Sequence, residues 1–310
     1  MDVGASGSRL ALAPIEDRAG SAEVRQLAGE RLAVGPGGST AAQVALDLVT
    51  AALDAWPDID PASIRGAAAG VAGLETVVTD PASYPARLRE LLPTATVAFA
   101  GDMVTAHLGA LGEGGAVLAA GTGSIVLGTD LDTVWHRVDG WGHLIGDLGS
   151  GAWIGTRALQ LAAAAGDGRG LAGAALHAAL VSRIGPLPSW PATIYHRADR
   201  AGALAELAPL VQDCARSGDA GAARILDEAA RHLADSLLAA LVHGVPRVAA
   251  LVGGLVTGES MLGPLVRREV ARRRPDVELR APLGTPLDGA VRLAALAAAG
   301  RLPTEGPLVR

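Results

Sequence analysis

AVLAAGTGSIVLGT, residues 116–129, is two aliphatic runs joined by a turn of small residues. The runs are too short for helices, and GTGS has the composition of a turn, so the stretch predicts strand, turn, strand. DVGASGSRLALAP, residues 2–14, has the same form: the tail of one strand, a Gly/Ser turn, then RLALAP. Each opening is followed by segments of helical spacing. A chain of 310 residues exceeds the size at which single cores stop growing, about 250–300 residues. The repeated opening therefore predicts two similar α/β halves with their turns facing each other across a cleft.

The rest of the chain fits between and after these openings. AAQVALDLVTAALDAW is helical and stops before Pro57, and GAAAGVAG reads as a buried strand plus loop. TVAFAGDMVTAHLGAL reads as strand, turn at Gly101-Asp102, and helix. Residues 171–245 are dominated by helical patterns. VAALVGGLV is a buried strand ending in a glycine pair, and 288–300 is a closing helix with a glycine stop. The apolar stretch 237–256 carries His243, Pro246 and Arg247 at its centre, which favours helix, turn and buried strand over a membrane span.

Composition removes several chemistries. All 26 cationic residues are arginine. Without lysine there is no Walker-A loop, no kinase strand lysine and no Schiff base. The net charge is −6, and the one dense basic run, Arg267 to Arg274, reads as a solvated helix face, so no nucleic-acid partner is expected. The single cysteine, Cys214, excludes an internal disulfide and a cysteine-based zinc cluster, and with no visible signal peptide it fits a cytoplasmic setting. Trp56, Trp135 and Trp190 read as packing anchors.

Small-residue turns between strands present N–H groups and hydroxyls that can hold phosphate oxygens without lysine. Two such turns, with the Gly253-Gly254 pair as a third element for adenosine, point to a nucleotide. Asp2, beside the first turn, is a candidate Mg²⁺ ligand acting through water. Asp102, between a strand and a helix, reads as the helix N-cap and, compatibly with that, as a general base for an attacking hydroxyl. GWGHLIGDLGSGAWIG, residues 140–155, sets one carboxylate, Asp147, in a glycine-rich loop whose backbone could approach a polyol, with its tryptophans and Ile154 anchoring the loop to the core.

In order, DVGASGS (2–8), GDMVTAHLGA (101–110), AGTGSIVLG (120–128), GWGHLIGDLGSGAWIG and LVGGLV (251–256) resemble the N-acetylglucosamine kinase-like branch of the BadF/BadG/BcrA/BcrD ATPase family. That family sits in the superfamily joining sugar kinases, actin and the heat-shock chaperone ATPases (ASKHA). The resemblance covers essentially the whole chain, to PLDGAVRLA, and GWGHxxGDxGSxxWIG is its most specific motif.

The resemblance implies two RNase H-like, actin-like ATPase lobes around an interlobe cleft. One lobe would span 1–112 and recover helix 288–300, and the other would span 113–287. It implies ATP and Mg²⁺ as cofactors, with Gly4, Ser6, Gly7 and Ser8 on the first phosphate motif and Gly121, Thr122, Gly123 and Ser124 on the second. Gly253 and Gly254 fall near adenosine, and Asp102 falls on the catalytic base. Ser39, Gly140, Trp141, Gly142 and Asp147 fall on sugar-binding positions.

The implied reaction is phosphorylation of an amino sugar at its C6 hydroxyl, N-acetylglucosamine first, glucosamine or N-acetylmuramic acid as alternatives. An ATPase switch acting on a protein partner, or a non-catalytic sugar sensor, would share the fold. Members are often dimers. The branch that carries an iron–sulfur cluster needs two cysteines per subunit, which Cys214 alone does not supply. The chain departs from the pattern in three places. Met1 directly precedes Asp2, so the expectation is an upstream start or an abbreviated first strand. Ser39 stands where asparagine is common, and Leu148 where glutamate is common.

Overall fold

The structure is a computed structural model that describes all residues except 5–6, 16–23, 33, 36–37, 75–77, 79, 171, 304 and 310. Its elements run in the order β1 (Asp2–Gly4), β2 (Gly7–Leu12), β3 (Arg25–Gly29), β4 (Val34–Gly35), β5 (Gly38–Ser39), α1 (Ala41–Ala55), β6 (Gly66–Val71), α2 (Tyr84–Leu91), β7 (Thr96–Gly101) and α3 (Asp102–Ala110). Next come β8 (Gly115–Ala120), β9 (Ser124–Thr129), β10 (Trp135–Asp139), α4 (Gly151–Gly166), α5 (Ala174–Ile184), α6 (Trp190–Tyr195), α7 (Arg200–Ala205), α8 (Ala208–Arg216) and α9 (Ala220–Ala240). The chain closes with β11 (Val248–Val252), α10 (Leu262–Arg273), β12 (Glu278–Arg280), α11 (Pro286–Ala298) and β13 (Leu308–Val309).

Two compact units result. The first comprises Met1–Gly115, Thr129–Trp135 and Ala281–Arg310, and the second Ala116–Gly128 and His136–Arg280. The first unit's sheet has the order β13-β7-β6-β1-β2-β3, and the second unit's has β10-β9-β8-β11-β12. Leaving aside the added edge strand β13, each sheet is a three-strand meander followed by two strands joined in parallel to its first strand. That is the RNase H-like order twice over, as the two sequence openings predict.

Local sequence explains the pieces. In the first unit β6 reads GAAAGV, and its small side chains are buried along nearly its whole length. A strand covered on both faces by helices takes such a run. α1 buries Ala41, Val44, Ala45, Leu48, Val49 and Ala52, a stripe of helical period against the sheet. α3 is buried along almost every residue, because α11 packs on its outer side. The two helices touch backbone to backbone: a Cβ at Gly289 would collide with the Thr105 carbonyl and with Gly109 N. Only glycine permits that approach. α11 starts two residues before the sequence-based boundary, on a capping box in which Thr285 and Asp288 exchange hydrogen bonds.

His107 lies inside α3 with no exposure. Its Nε2 is 3.1 Å from the Gly115 carbonyl, so the proton sits on Nε2 and the imidazole is neutral. Burial pushes its pKa down to about 4. β1 is three residues long. The Met1 amine donates to the Ala68 carbonyl at 2.6 Å, and burial lowers its pKa to about 5. Beside it, between Leu10–Leu12 and Gly66–Ala68, lies a pocket of about 720 Å³.

In the second unit α9 carries the longest apolar stripe, from Gly221 to Ala240, facing the core with Leu226, Leu233 and Leu237 fully covered. Helices α4, α5, α8 and α10 and strands β8, β9 and β11 add buried residues to that core. The arginine run sits on α10, where Arg273 pairs with Asp235 and Arg268 with Asp227, which is the solvated face expected. Trp190 is a packing anchor, its ring tilted against that of His177 with centroids 5.6 Å apart. Among the described residues no helix is long and apolar enough to cross a membrane.

Candidate functional site

In the first unit, the candidate residues collect on one sheet edge. Val3 of β1 pairs with Val71 of β6, and Val71 with Gly101 of β7, so the carboxyl ends of three parallel strands lie side by side. Gly4 and Gly7 face each other across the first turn, and Ser8 follows in β2. Asp102 begins α3 directly after β7. In open α/β sheets ligands bind at this end of the strands. Ser6 lies outside the described residues.

Side-chain states refine the roles. Asp102 is exposed and is the first helical residue; the N-cap is Gly101, so the expectation that Asp102 caps the helix is corrected. Ser8 is buried, and its Oγ has no hydrogen-bond partner. An orphaned buried hydroxyl beside the turn suits an incoming phosphate oxygen. Asp2 Oδ2 accepts from Arg9 at 2.9 Å, so a cation there would share the carboxylate with a guanidinium. Ser39 closes a small hairpin, and its Oγ accepts from Ala41 N at 3.2 Å, at the start of α1.

The second unit repeats the arrangement. β8 and β11 end together, with Ala119 paired to Val252. The Gly121–Ser124 turn and the Gly253-Gly254 pair thus leave the same edge, tied by Leu255 N donating to Ala120 O at 3.2 Å. The first turn of α4 is fixed onto this turn: Gly151 N donates to Gly121 O at 2.8 Å and Ala152 N to Thr122 O at 3.0 Å. Gly121 and Thr122 stay exposed. The Ser124 hydroxyl turns away, toward Leu148 O.

Asp147 joins this turn. A Cβ on Gly123 would lie 2.5 Å from its Oδ2. Its Oδ1 accepts from Gly142 N at 3.1 Å, and it is only 8% exposed. The sequence motif GTGS and the sequence motif GWGH…GD are therefore one structure. Burial raises the Asp147 pKa; the Gly142 N–H opposes this and the Asp139 charge adds to it. Trp141 does not anchor the loop to the core, which corrects that expectation. It is 60% exposed, its ring beneath the Arg137 guanidinium at 4.5 Å, and Leu144 and Ile145 are more exposed still. Trp153 and Ile154 do pack into the core.

Asp139 and Arg137 escape a motif reading. Asp139 accepts from Asp147 N at 2.7 Å and from Leu148 N at 3.0 Å. Arg137 donates to Asp139 O and Gly140 O. Their signal in the sequence is slight: an Asp-Gly pair at a strand end reads only as a turn. Cys214 sits partly buried on α8 with its thiol pKa raised by burial, an unreactive state. Among the described residues no group of three His, Cys, Asp or Glu could hold a metal ion.

A model of the BadF/BadG/BcrA/BcrD ATPase family matches residues 2–294. The chain is 30% identical over 188 residues to the N-acetylmuramic acid/N-acetylglucosamine kinase of Clostridium acetobutylicum, covering 58% of this chain and 60% of that one. It is 31% identical over 194 residues to the N-acetyl-D-glucosamine kinase of Dictyostelium discoideum, covering 58% and 59%. The chain thus spans about 60% of the length of these curated relatives. Among solved structures, a candidate N-acetylglucosamine kinase from Chromobacterium violaceum is similar with TM-score 0.67 and 27% identity over 96% of both chains.

Proposed function

Because this chain belongs to the BadF/BadG/BcrA/BcrD ATPase family, we propose that it is an ATP-dependent amino-sugar kinase that phosphorylates the C6 hydroxyl of N-acetylglucosamine. The names of its relatives support the class. The observation that carries the reading is the union, through Asp147, of the Gly121–Ser124 turn with the glycine-rich loop. A nucleotide switch requires the turn alone.

In this reading Gly4, Gly7 and Ser8 of the first unit, and Thr122 with the backbone of Gly123 and Ser124 of the second, hold the β- and γ-phosphates, while Gly121, whose N–H donates to Gly123 O at 2.9 Å, shapes the turn. Gly253 and Gly254 take the adenosine. Asp2, which shares its carboxylate with Arg9, would hold Mg²⁺ through water, and that ion would supply charge neutralisation. Ser39, Gly140, Trp141, Gly142 and Asp147 bind the sugar, and the open face of Trp141 suits the apolar face of a pyranose. Asp102 takes the proton of the C6 hydroxyl, whose oxygen attacks the γ-phosphorus as the ADP oxygen departs. Backbone donors then stabilise charge spread over the transferring group.

The test is a coupled ADP-release assay over N-acetylglucosamine, glucosamine, N-acetylmannosamine, N-acetylmuramic acid and glucose. Turnover stimulated by an amino sugar, with phosphate on C6 by NMR, is the expected result. Turnover that ignores every sugar would instead favour a switch.

A further inference from the structure

The glycine-rich loop is held in shape by a residue outside every motif that led to it. β10 ends at Asp139, whose two carboxylate oxygens each take one amide: Oδ1 from Asp147 at 2.7 Å and Oδ2 from Leu148 at 3.0 Å. The loop is thereby closed into a ring, its first residue gripping its last. Asp139 and Asp147 both sit in left-handed backbone, at φ 62° and 55°. Neither is glycine, so local preference alone does not hold them there.

Two further contacts depend on that closure. Arg137 fixes the carbonyls of Asp139 and Gly140 and covers one face of Trp141. With its own backbone held, Asp147 turns its carboxylate back to Gly142 N, at 3.1 Å. Asparagine at 139 would set an N–H against one of the two amides. Gly146 leaves the room this carboxylate occupies, since a Cβ added there would lie 2.5 Å from Asp139 Oδ1.

We propose that Asp139 is a positioning residue: it fixes the backbone and carboxylate of Asp147, and the Trp141 platform, in the geometry that binds the acceptor sugar. The proposal rests on the reading of this loop as the sugar site. It does not place Asp139 on the sugar.

The test compares the full-length wild type with Asp139→Asn, which keeps the size of the side chain, and Asp139→Ala. The sugar KM should rise about tenfold or more, as expected when charge-assisted hydrogen bonds are lost, while the ATP KM stays within about twofold. An unchanged sugar KM, or equal shifts in both constants, would overturn it, since general loosening does not single out one substrate. Hydrogen exchange across residues 140–150 gives a readout that needs no sugar. The Asp147 and Leu148 amides should exchange about tenfold faster or more in Asp139→Asn. If the wild type turns over no sugar, the substrate reading is what fails, and unchanged exchange at those amides would still sink the role of Asp139.

Discussion

Acid should destabilise the first unit through one histidine. His107 is fully buried in α3, donates from Nε2 to the Gly115 carbonyl, and leaves Nδ1 buried without a partner. Its pKa falls from 6.5 to about 4, chiefly through burial. The unfolded chain therefore binds a proton at a pH where the folded chain does not. Stability from the neutral imidazole is fully present above the unfolded pKa and is lost as pH falls from 6.5 toward 4. The whole shift corresponds to about 3 kcal/mol, and roughly 2 kcal/mol of it is lost between about pH 7 and pH 5. Carboxylates titrate over part of the same range, so the measurement is a difference. Urea denaturation is followed at both pH values for the wild type and for His107→Gln, which retains an N–H donor and does not titrate. The wild type should lose about 2 kcal/mol more than the variant across that interval. Parallel pH dependence in the two proteins would refute a buried, neutral His107.

Asp102→Asn should lower kcat by about 10²–10⁴-fold while sugar affinity, read by calorimetry, survives; near-normal turnover would remove Asp102 as the base. Gly123→Ala would press a methyl against Asp147 Oδ2, at 2.5 Å. It should cost activity with both substrates, because the turn and the sugar loop share that contact, and a variant with wild-type constants would show that they do not. Asp147→Ala should abolish sugar binding in the same calorimetric assay and leave nucleotide binding measurable. Thr285→Ala deletes the hydroxyl half of the α11 capping box. It should lower the unfolding free energy by about 1 kcal/mol without altering sugar KM.

The doubled architecture is legible in the sequence because each half opens with the same local code, apolar run, small-residue turn, apolar run, and strand pairing across a tight turn is a local matter. Helix positions follow from period, as on α9. The edge that gathers Gly4 and Asp102 is less visible, since it depends on β1, β6 and β7 aligning over about a hundred residues of chain. The states of individual side chains are hidden further. Nothing in DVGASGSR says that Asp2 will meet Arg9 across the hairpin at 2.9 Å. Trp141 reads as an anchor by hydrophobicity, yet Gly140 and Gly142, both in left-handed backbone, turn it outward. Asp139 is the clearest omission. Its role depends on meeting two amides eight and nine positions later, and it lies one residue before the quoted motif.

The close seating of α11 against α3 also orders events during synthesis. Residues 116–280 can complete a core of their own while the chain is still emerging. The first unit cannot: the face of α3 that includes Thr105 and Gly109 meets Gly289, translated some 180 residues later. Until then the buried side of β6 and α3 is exposed to chaperones and to other nascent chains. A ribosome that stalls or terminates before α11 thus releases a product with a finished second half and an open first one. Loss of the last thirty residues should be felt as aggregation of the first.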